Sequence, residues 1–328
     1  MKLFLTAFLL GFFASMVIAP LVFYLARKLK AQQKILHYVK EHSGKEGTPT
    51  FGGLIFIFGL LIASLFLFYK DTTMVFVTLG STLSFGLLGF LDDFIKVKFK
   101  QNLGLKAYQK LIGQIGISII LGFFVYNYIG TELYIPFTLK LVDFGAWIIP
   151  LTVFVFLALV NSVNLIDGLD GLSSSTSLFY LLGITAFVLI FKNDMALSTV
   201  QAAEIGNLTM LNFVLMGALC FYLCVNVFPA KIFMGDTGSL ALGGFLTAIS
   251  VFYKLTLLIP ILGLIFVLTA LSDIIQVGVY KLKKKRVFKM APLHHHFQMS
   301  GIHENKIVLY YSLITLFLSI VNILLTGM

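Results

Sequence analysis

Ten apolar runs, each about as long as a bilayer is thick, leave this chain little choice of solvent. They are Leu3–Ala26, Phe51–Tyr69, Thr73–Leu91, Leu111–Tyr128, Trp147–Val163, Leu172–Phe191, Leu208–Phe228, Ser239–Tyr253, Leu255–Tyr280 and Ile307–Leu325. A helix needs about 20 mostly apolar residues to cross the hydrocarbon core. Only 12% of the 328 residues are charged, against roughly 25% in soluble domains, so there is too little polar surface to clothe a particle in water. The chain reads as an all-α, polytopic integral membrane protein with about ten transmembrane helices. The first run is longer than a signal-peptide core, ends in Arg27 and Lys28, and is followed by more spans, so it reads as a retained helix. Pro260 and Gly263 are placed to bend the long ninth run. Cys220 and Cys224, four apart in an apolar run, read as small core residues.

Net charge is +10, which raises the question of a nucleic-acid partner. The placement of the basic residues answers it: they sit in short loops between apolar runs, where Lys and Arg set topology. The first, third, seventh and ninth loops hold 19 of the 24, and the opposite side holds only Lys2, Lys70, Lys140, Lys192 and Lys254. The odd loops are therefore expected to be cytoplasmic, with both termini outside. No internal repeat or low-complexity linker interrupts the chain, so 1–328 reads as one domain.

Acids and polar residues gather in the same odd loops, where topology gives no reason for them. In the third, Asp92 and Asp93 stand where a span ends, with Lys96 three and four residues on. On a helix neighbours point about 100° apart, so the pair would divide its roles, with Lys96 on the same face. A helix-end salt bridge is the plain alternative, but acids near lipid are costly. The fifth loop, Asn161 to Gly171, packs Asn164, Asp167, Gly168, Asp170 and Gly171 into a stretch with no Lys or Arg. It lacks the twelve-residue spacing and terminal Glu of a calcium loop, and the plain alternative is a turn. In the seventh, Asp236 lies between Gly235 and Gly238 and is followed by hydroxyls. This suits a carboxylate ligand for Mg2+, which takes one or two carboxylates and leaves room for water and phosphate. The plain alternative, compatible with it, is an N-cap made by Asp236 or Thr237. The ninth carries a basic run, Lys281 to Arg286, and then His294, His295 and His296. The basic run suits a topology anchor and lipid headgroups. The histidines lack the spacing of a zinc site and fit phosphate recognition better. The first loop adds Lys45, Thr48 and Thr50 beside glycines. Acids for a divalent cation, cations to spread phosphate charge and Gly-rich backbone are together the inventory of phosphoryl transfer.

Five blocks in order carry a resemblance across nearly the whole chain: Gly47 to Thr50, Leu91 to Phe94, Asn164 to Gly171, Phe233 to Ser239 and Pro292 to Phe297. The chain resembles the phospho-N-acetylmuramoyl-pentapeptide-transferases, within the polyprenyl-phosphate N-acetylhexosamine-1-phosphate transferase superfamily. The contiguous histidines favour this branch over relatives that use N-acetylglucosamine phosphate. The resemblance implies a single transmembrane catalytic domain in the bacterial cytoplasmic membrane, with its active site on the cytoplasmic face. It implies transfer from UDP-N-acetylmuramoyl-pentapeptide to undecaprenyl phosphate, giving lipid I and UMP in peptidoglycan synthesis, with Mg2+ as cofactor, and it points to a homodimer. By motif, Asp236 would bind Mg2+, with Asn164 and Asp167 assisting at the metal and diphosphate. Asp92, as base, Asp93 and His295 would be catalytic, and Phe233 would stack on uracil. Lys45, Thr50, Lys96, Asp170, Asn226, Gly235, Gln276, His294 and His296 would line the substrate site. Gln298 stands where many members carry an acid.

Two other readings compete. A related UDP-N-acetylglucosamine-1-phosphate transferase would share the same loops. A secondary transporter would also use acids and Asn at helix breaks, but near mid-membrane and not at loop–helix junctions on one side.

Overall fold

The computed structural model of the protein describes residues 2–29, 47–67, 72–99, 104–195 and 199–327. Helices dominate: α1 (Lys2–Lys28), α2 (Gly53–Ser64), α3 (Thr73–Lys98), α4 (Ala107–Phe124), α5 (Ile148–Ile166), α6 (Leu172–Phe191), α7 (Thr199–Asn226), α8 (Gly235–Phe252), α9 (Ile259–Leu262), α10 (Leu264–Lys283), α11 (Leu293–Gln298) and α12 (Glu304–Leu325). Two short strands, β1 (Glu132–Tyr134) and β2 (Leu141–Asp143), pair antiparallel with Leu133 opposite Val142. Lipid, or an interior as dry as lipid, forces this outcome, because backbone polar groups must then bond within their own segment.

Eight helical stretches among the described residues are long and apolar enough to cross a bilayer. Two expected crossings fall short. α2 has 12 residues, about 18 Å of helix. Its start is set by loop backbone: the amides of Gly52 and Gly53 donate to the carbonyls of Phe233 and Met234 at 2.8 and 3.0 Å, so helix begins only at Gly53. α8 has 18 residues but opens on Asp236 and four glycyl or hydroxyl positions. The ninth apolar run breaks as its Pro260 and Gly263 foretold, into α9 and α10 with Gly263 between them. Cys220 is half-buried and Cys224 exposed, both as free thiols, which corrects their reading as core residues. They lie on an apolar helix whose outward face needs no polar cover.

The chain falls into two compact units, each assembled from separated segments. The first comprises Met1–Ile117 and Leu197–Phe245, the second Ser118–Ala196 and Leu246–Met328. In the first, α1 packs on α7 and α2 through small residues. A Cβ on Gly11 would lie 2.0 Å from the Val214 carbonyl oxygen, one on Gly217 1.9 Å from that of Phe8, and one on Gly59 2.0 Å from Ser15 Oγ. Small residues let helix backbones approach where no hydrophobic effect drives them together. In the second, α12 lies on α6 by the same device at Gly183 and Ser319. There the buried Tyr180 hydroxyl meets Ser250 Oγ at 2.7 Å.

Candidate active site

In the first unit, the end of α3 and the start of α8 come together at a glycine. A Cβ on Gly89 would lie 2.1 Å from the carbonyl oxygen of Asp236, so only glycine lets the α8 backbone this near. Asp92, Asp93 and Asp236 each offer a carboxylate oxygen, and these atoms lie within 4.8 Å of one another. Asp93 is buried, and its Oδ2 accepts from the Thr237 amide at 2.8 Å and the Thr237 hydroxyl at 2.7 Å. It thereby caps the amino terminus of α8. The expected N-cap role of Asp236 or Thr237 is corrected: both lie inside the helix, and the capping carboxylate comes from α3. Asp92, one residue away and turned about 100°, takes a different job. It pairs with Lys96 one helical turn on, and its Oδ1 accepts from the Leu105 amide at 2.8 Å.

Two ammonium groups converge on a single oxygen. Asp236 Oδ2 lies 2.9 Å from Lys96 Nζ and 3.1 Å from Lys110 Nζ. Asp236 stands in the first turn of α8, ahead of the apolar stretch that starts at Ser239. Burial by itself would push its carboxyl up. A carboxyl hydrogen bond with Asp92 and the charges of Lys110 and Lys96 outweigh burial and hold it well below the usual carboxylate range. Gly235, just before it, has φ +73°, which L side chains avoid. A Cβ there would sit 2.7 Å from both Asp93 Oδ2 and Thr50 Oγ1. The first loop joins this group through backbone, the Phe233 amide donating to the Pro49 carbonyl at 2.8 Å. Asn226 closes the seventh loop, its Nδ2 donating to the Ile232 carbonyl at 2.9 Å.

In the second unit, the fifth loop meets the histidines. Asp167 is the C-cap of α5, and Gly171, at φ +76°, is the N-cap of α6. Between them a Cβ on Gly168 would lie 2.4 Å from His294 Nε2 and 3.0 Å from His295 Nε2. His294 is fully buried, with neither ring nitrogen hydrogen-bonded. Burial and the adjacent His295 push its pKa well below the ordinary value, so it is a neutral imidazole. His295 Nδ1 lies 3.2 Å from Gln298 Oε1.

A family model, glycosyl transferase family 4, matches residues 75–254, a range holding the acids of α3 and α8 and the fifth loop. Relatives named phospho-N-acetylmuramoyl-pentapeptide-transferase match nearly end to end. One from Clostridium botulinum (strain Eklund 17B / Type B) is 44% identical over 97% of this chain and 95% of its own. One from Thermoanaerobacter sp. (strain X514) is 43% identical over 94% of each. One from Clostridium novyi (strain NT) is 41% identical over 99% of this chain and 97% of its own. The chain belongs to this transferase family.

Within the family frame, the structure sorts the residues singled out from sequence. Asp92, Asp93, Lys96, Asp236, Gly235, Thr50, Phe233 and Asn226 fall in the first unit, and Asn164, Asp167, Asp170, Gln276 and His294 to His296 in the second. Lys45 lies outside the described residues. Gln276 is occupied by backbone: its Oε1 accepts from the Val287 and Phe288 amides, both at 3.0 Å, and its Nε2 donates to the Phe288 carbonyl at 3.2 Å. His296 Nδ1 accepts from the Lys289 amide at 3.1 Å. Both side chains thus hold the segment that leads into α11. Lys110 was missed, because a lysine at the mouth of a span is already accounted for by topology. Its one available signal is its place, fourteen residues past Lys96 in the loop that also carries the paired acids. Thr237 was seen only as a cap, and its bond to Asp93 has no sequence signature.

Proposed function

We propose that the chain transfers phospho-N-acetylmuramoyl-pentapeptide from its UDP carrier to undecaprenyl phosphate, forming lipid I and UMP in peptidoglycan synthesis. The reaction takes place on the cytoplasmic side of the bacterial cytoplasmic membrane, and 1–328 acts as one catalytic domain. The observation that carries this reading is the convergence of three carboxylates and two lysines at the α3–α8 junction, in a chain of this family.

The donor set fits Mg2+. All three side chains offer hard carboxylate oxygens, the ligand type this ion prefers. Asp236 is the ligand this reading assigns first, since it is held ionised. Bound there, the ion supplies charge neutralisation for the diphosphate and the departing UMP.

The chain's own groups do the remainder. A lipid phosphate, with a second pKa near 6 as for phosphoesters, is already largely ionised at neutral pH, so a base is dispensable. The barrier is the crowding of negative charge as one phosphate approaches a diphosphate, and Lys96 and Lys110 spread that charge. An oxygen of the lipid phosphate attacks the sugar-linked phosphorus, the bond from that phosphorus to the UMP oxygen breaks, and UMP leaves. The environment of the acids supports this direct route over an aspartyl intermediate. Asp93 is committed to Thr237, and Asp92 to Lys96 and Leu105. Phe233 stacks on uracil with Thr50 as a further contact of the first unit, and Asn164, Asp170 and His295 are the second unit's candidates for substrate contact.

Purified full-length protein, given undecaprenyl phosphate, Mg2+ and the muramoyl-pentapeptide donor, is expected to release UMP. Release with only the N-acetylglucosamine donor would reassign the branch, and release with neither would favour transport. Radiolabelled phosphosugar trapped on the protein without lipid would overturn direct attack.

A further inference from the structure

Glu304 opens α12 with its side chain almost wholly buried, 6% exposed. Its Oε1 accepts a hydrogen bond from the backbone N–H of Asp170, which is itself buried. A buried carboxylate is expensive unless its charge is answered. Among the answers here are the hydrogen bond from the Asp170 amide and a place in the first turn of a 22-residue helix, where the macrodipole favours an anion.

How the chain reaches that place matters more. α11 carries His294 and His295 against Gly168. It then ends in a tight reversal: the Gly301 amide donates to the Gln298 carbonyl at 2.9 Å and the Ile302 amide to the Phe297 carbonyl at 3.2 Å, with Gly301 at φ +88°. This is the paired bonding of a glycine-terminated helix end. His303 then caps α12, its Nδ1 accepting from the Asn305 amide. One continuous segment, His294 to Glu304, therefore grips the fifth loop twice, by its rings at Gly168 and by a carboxylate at Asp170.

We propose that Glu304 is a positioning residue: it fixes the Asp167–Asp170 turn of the fifth loop in register with the histidines of α11. This rests on the transferase reading for its kinetic consequence but not for its structural one. The acceptor oxygen, not the charge alone, holds the Asp170 amide, so Glu304→Gln retains the grip, and Glu304→Ala releases it. Glu304→Asp shortens the reach by one methylene and also releases it.

Two measurements on full-length protein in detergent test this. In hydrogen–deuterium exchange, peptides covering 164–171 are expected to gain about one early-exchanging amide in the Ala and Asp variants, and none in the Gln variant. In UMP release, the Ala and Asp variants are expected to lose about 10- to 100-fold in kcat, the scale of an ångström-sized misplacement. KM for the nucleotide sugar should stay within about threefold, and the Gln variant within about threefold of the unaltered chain in both constants. Unchanged exchange in Glu304→Asp, or in Glu304→Ala, overturns the proposal, as does a Gln variant as impaired as the Ala variant. Should Glu304→Ala not insert, Glu304→Asp decides alone. Should the unaltered chain release no UMP, the transferase reading fails, while the exchange result still judges the positioning.

Discussion

The two lysines on Asp236 Oδ2 define what single residues contribute. Each ammonium favours the ionised form of the carboxylate that the proposed reaction needs, and each is placed to offer its positive charge to phosphate. Lys110→Gln is expected to lower kcat/KM for UMP release by about 100-fold, the scale of losing one preorganised electrostatic donor. An unaltered rate would remove Lys110 from the site. Asp236→Asn should abolish Mg2+-dependent release while the protein still inserts, and activity at ordinary Mg2+ would end its metal role. His294 makes a prediction about stability instead of rate. The unfolded chain takes up a proton at this imidazole as pH falls through about 6.5, whereas the folded chain, with its pKa pushed well below, does not. The folded state therefore loses stability as pH drops below that point and keeps it above. The Tm of the solubilised chain should fall between about pH 7 and about pH 5.5, and His294→Gln should flatten part of that slope.

Elements meet at glycines, and there the site is most easily broken. Gly235→Ala puts a methyl at φ +73° against Asp93 and Thr50. Gly89→Val drives a branched side chain into the Asp236 carbonyl. Both variants should insert and yet release UMP at least about 100-fold more slowly. Near-normal rates in Gly89→Val would mean that the α3–α8 contact is not what sets Asp236. The element scale also shows what a sequence can and cannot tell. Hydropathy located the long helices, because a bilayer reads only residue number and polarity. The break at Gly263 followed from Pro260 and glycine. The pairing of Asp92 with Lys96 followed from helical period alone. The start of α2 at Gly53 did not, since it depends on amides claimed by the carbonyls of Phe233 and Met234, far away in the chain. Nor did the capping of α8 by Asp93, which joins residues 144 positions apart. Local chemistry was legible wherever partners are a few residues apart, and long-range pairing was not.

For the whole molecule, the charge asymmetry of the loops supports one orientation, with the odd loops cytoplasmic. Single cysteines at Lys285 and Lys140 should react with an impermeant maleimide from opposite sides of sealed vesicles if α2 and α8 also cross, and labelling from the same side would leave the eight long helices as the crossings. The two lysines and three carboxylates of the first unit have a consequence for the order of events. The ammonium groups already stand on the Asp236 oxygen that a divalent cation would take. A cation arriving alone must displace them, while one arriving with a diphosphate hands them a new anion to bind. Mg2+ and nucleotide sugar should therefore bind each other's complexes more tightly than the empty protein, by the same factor in either direction. The acids and lysines act together as a lock for which neither ion nor substrate is the whole key.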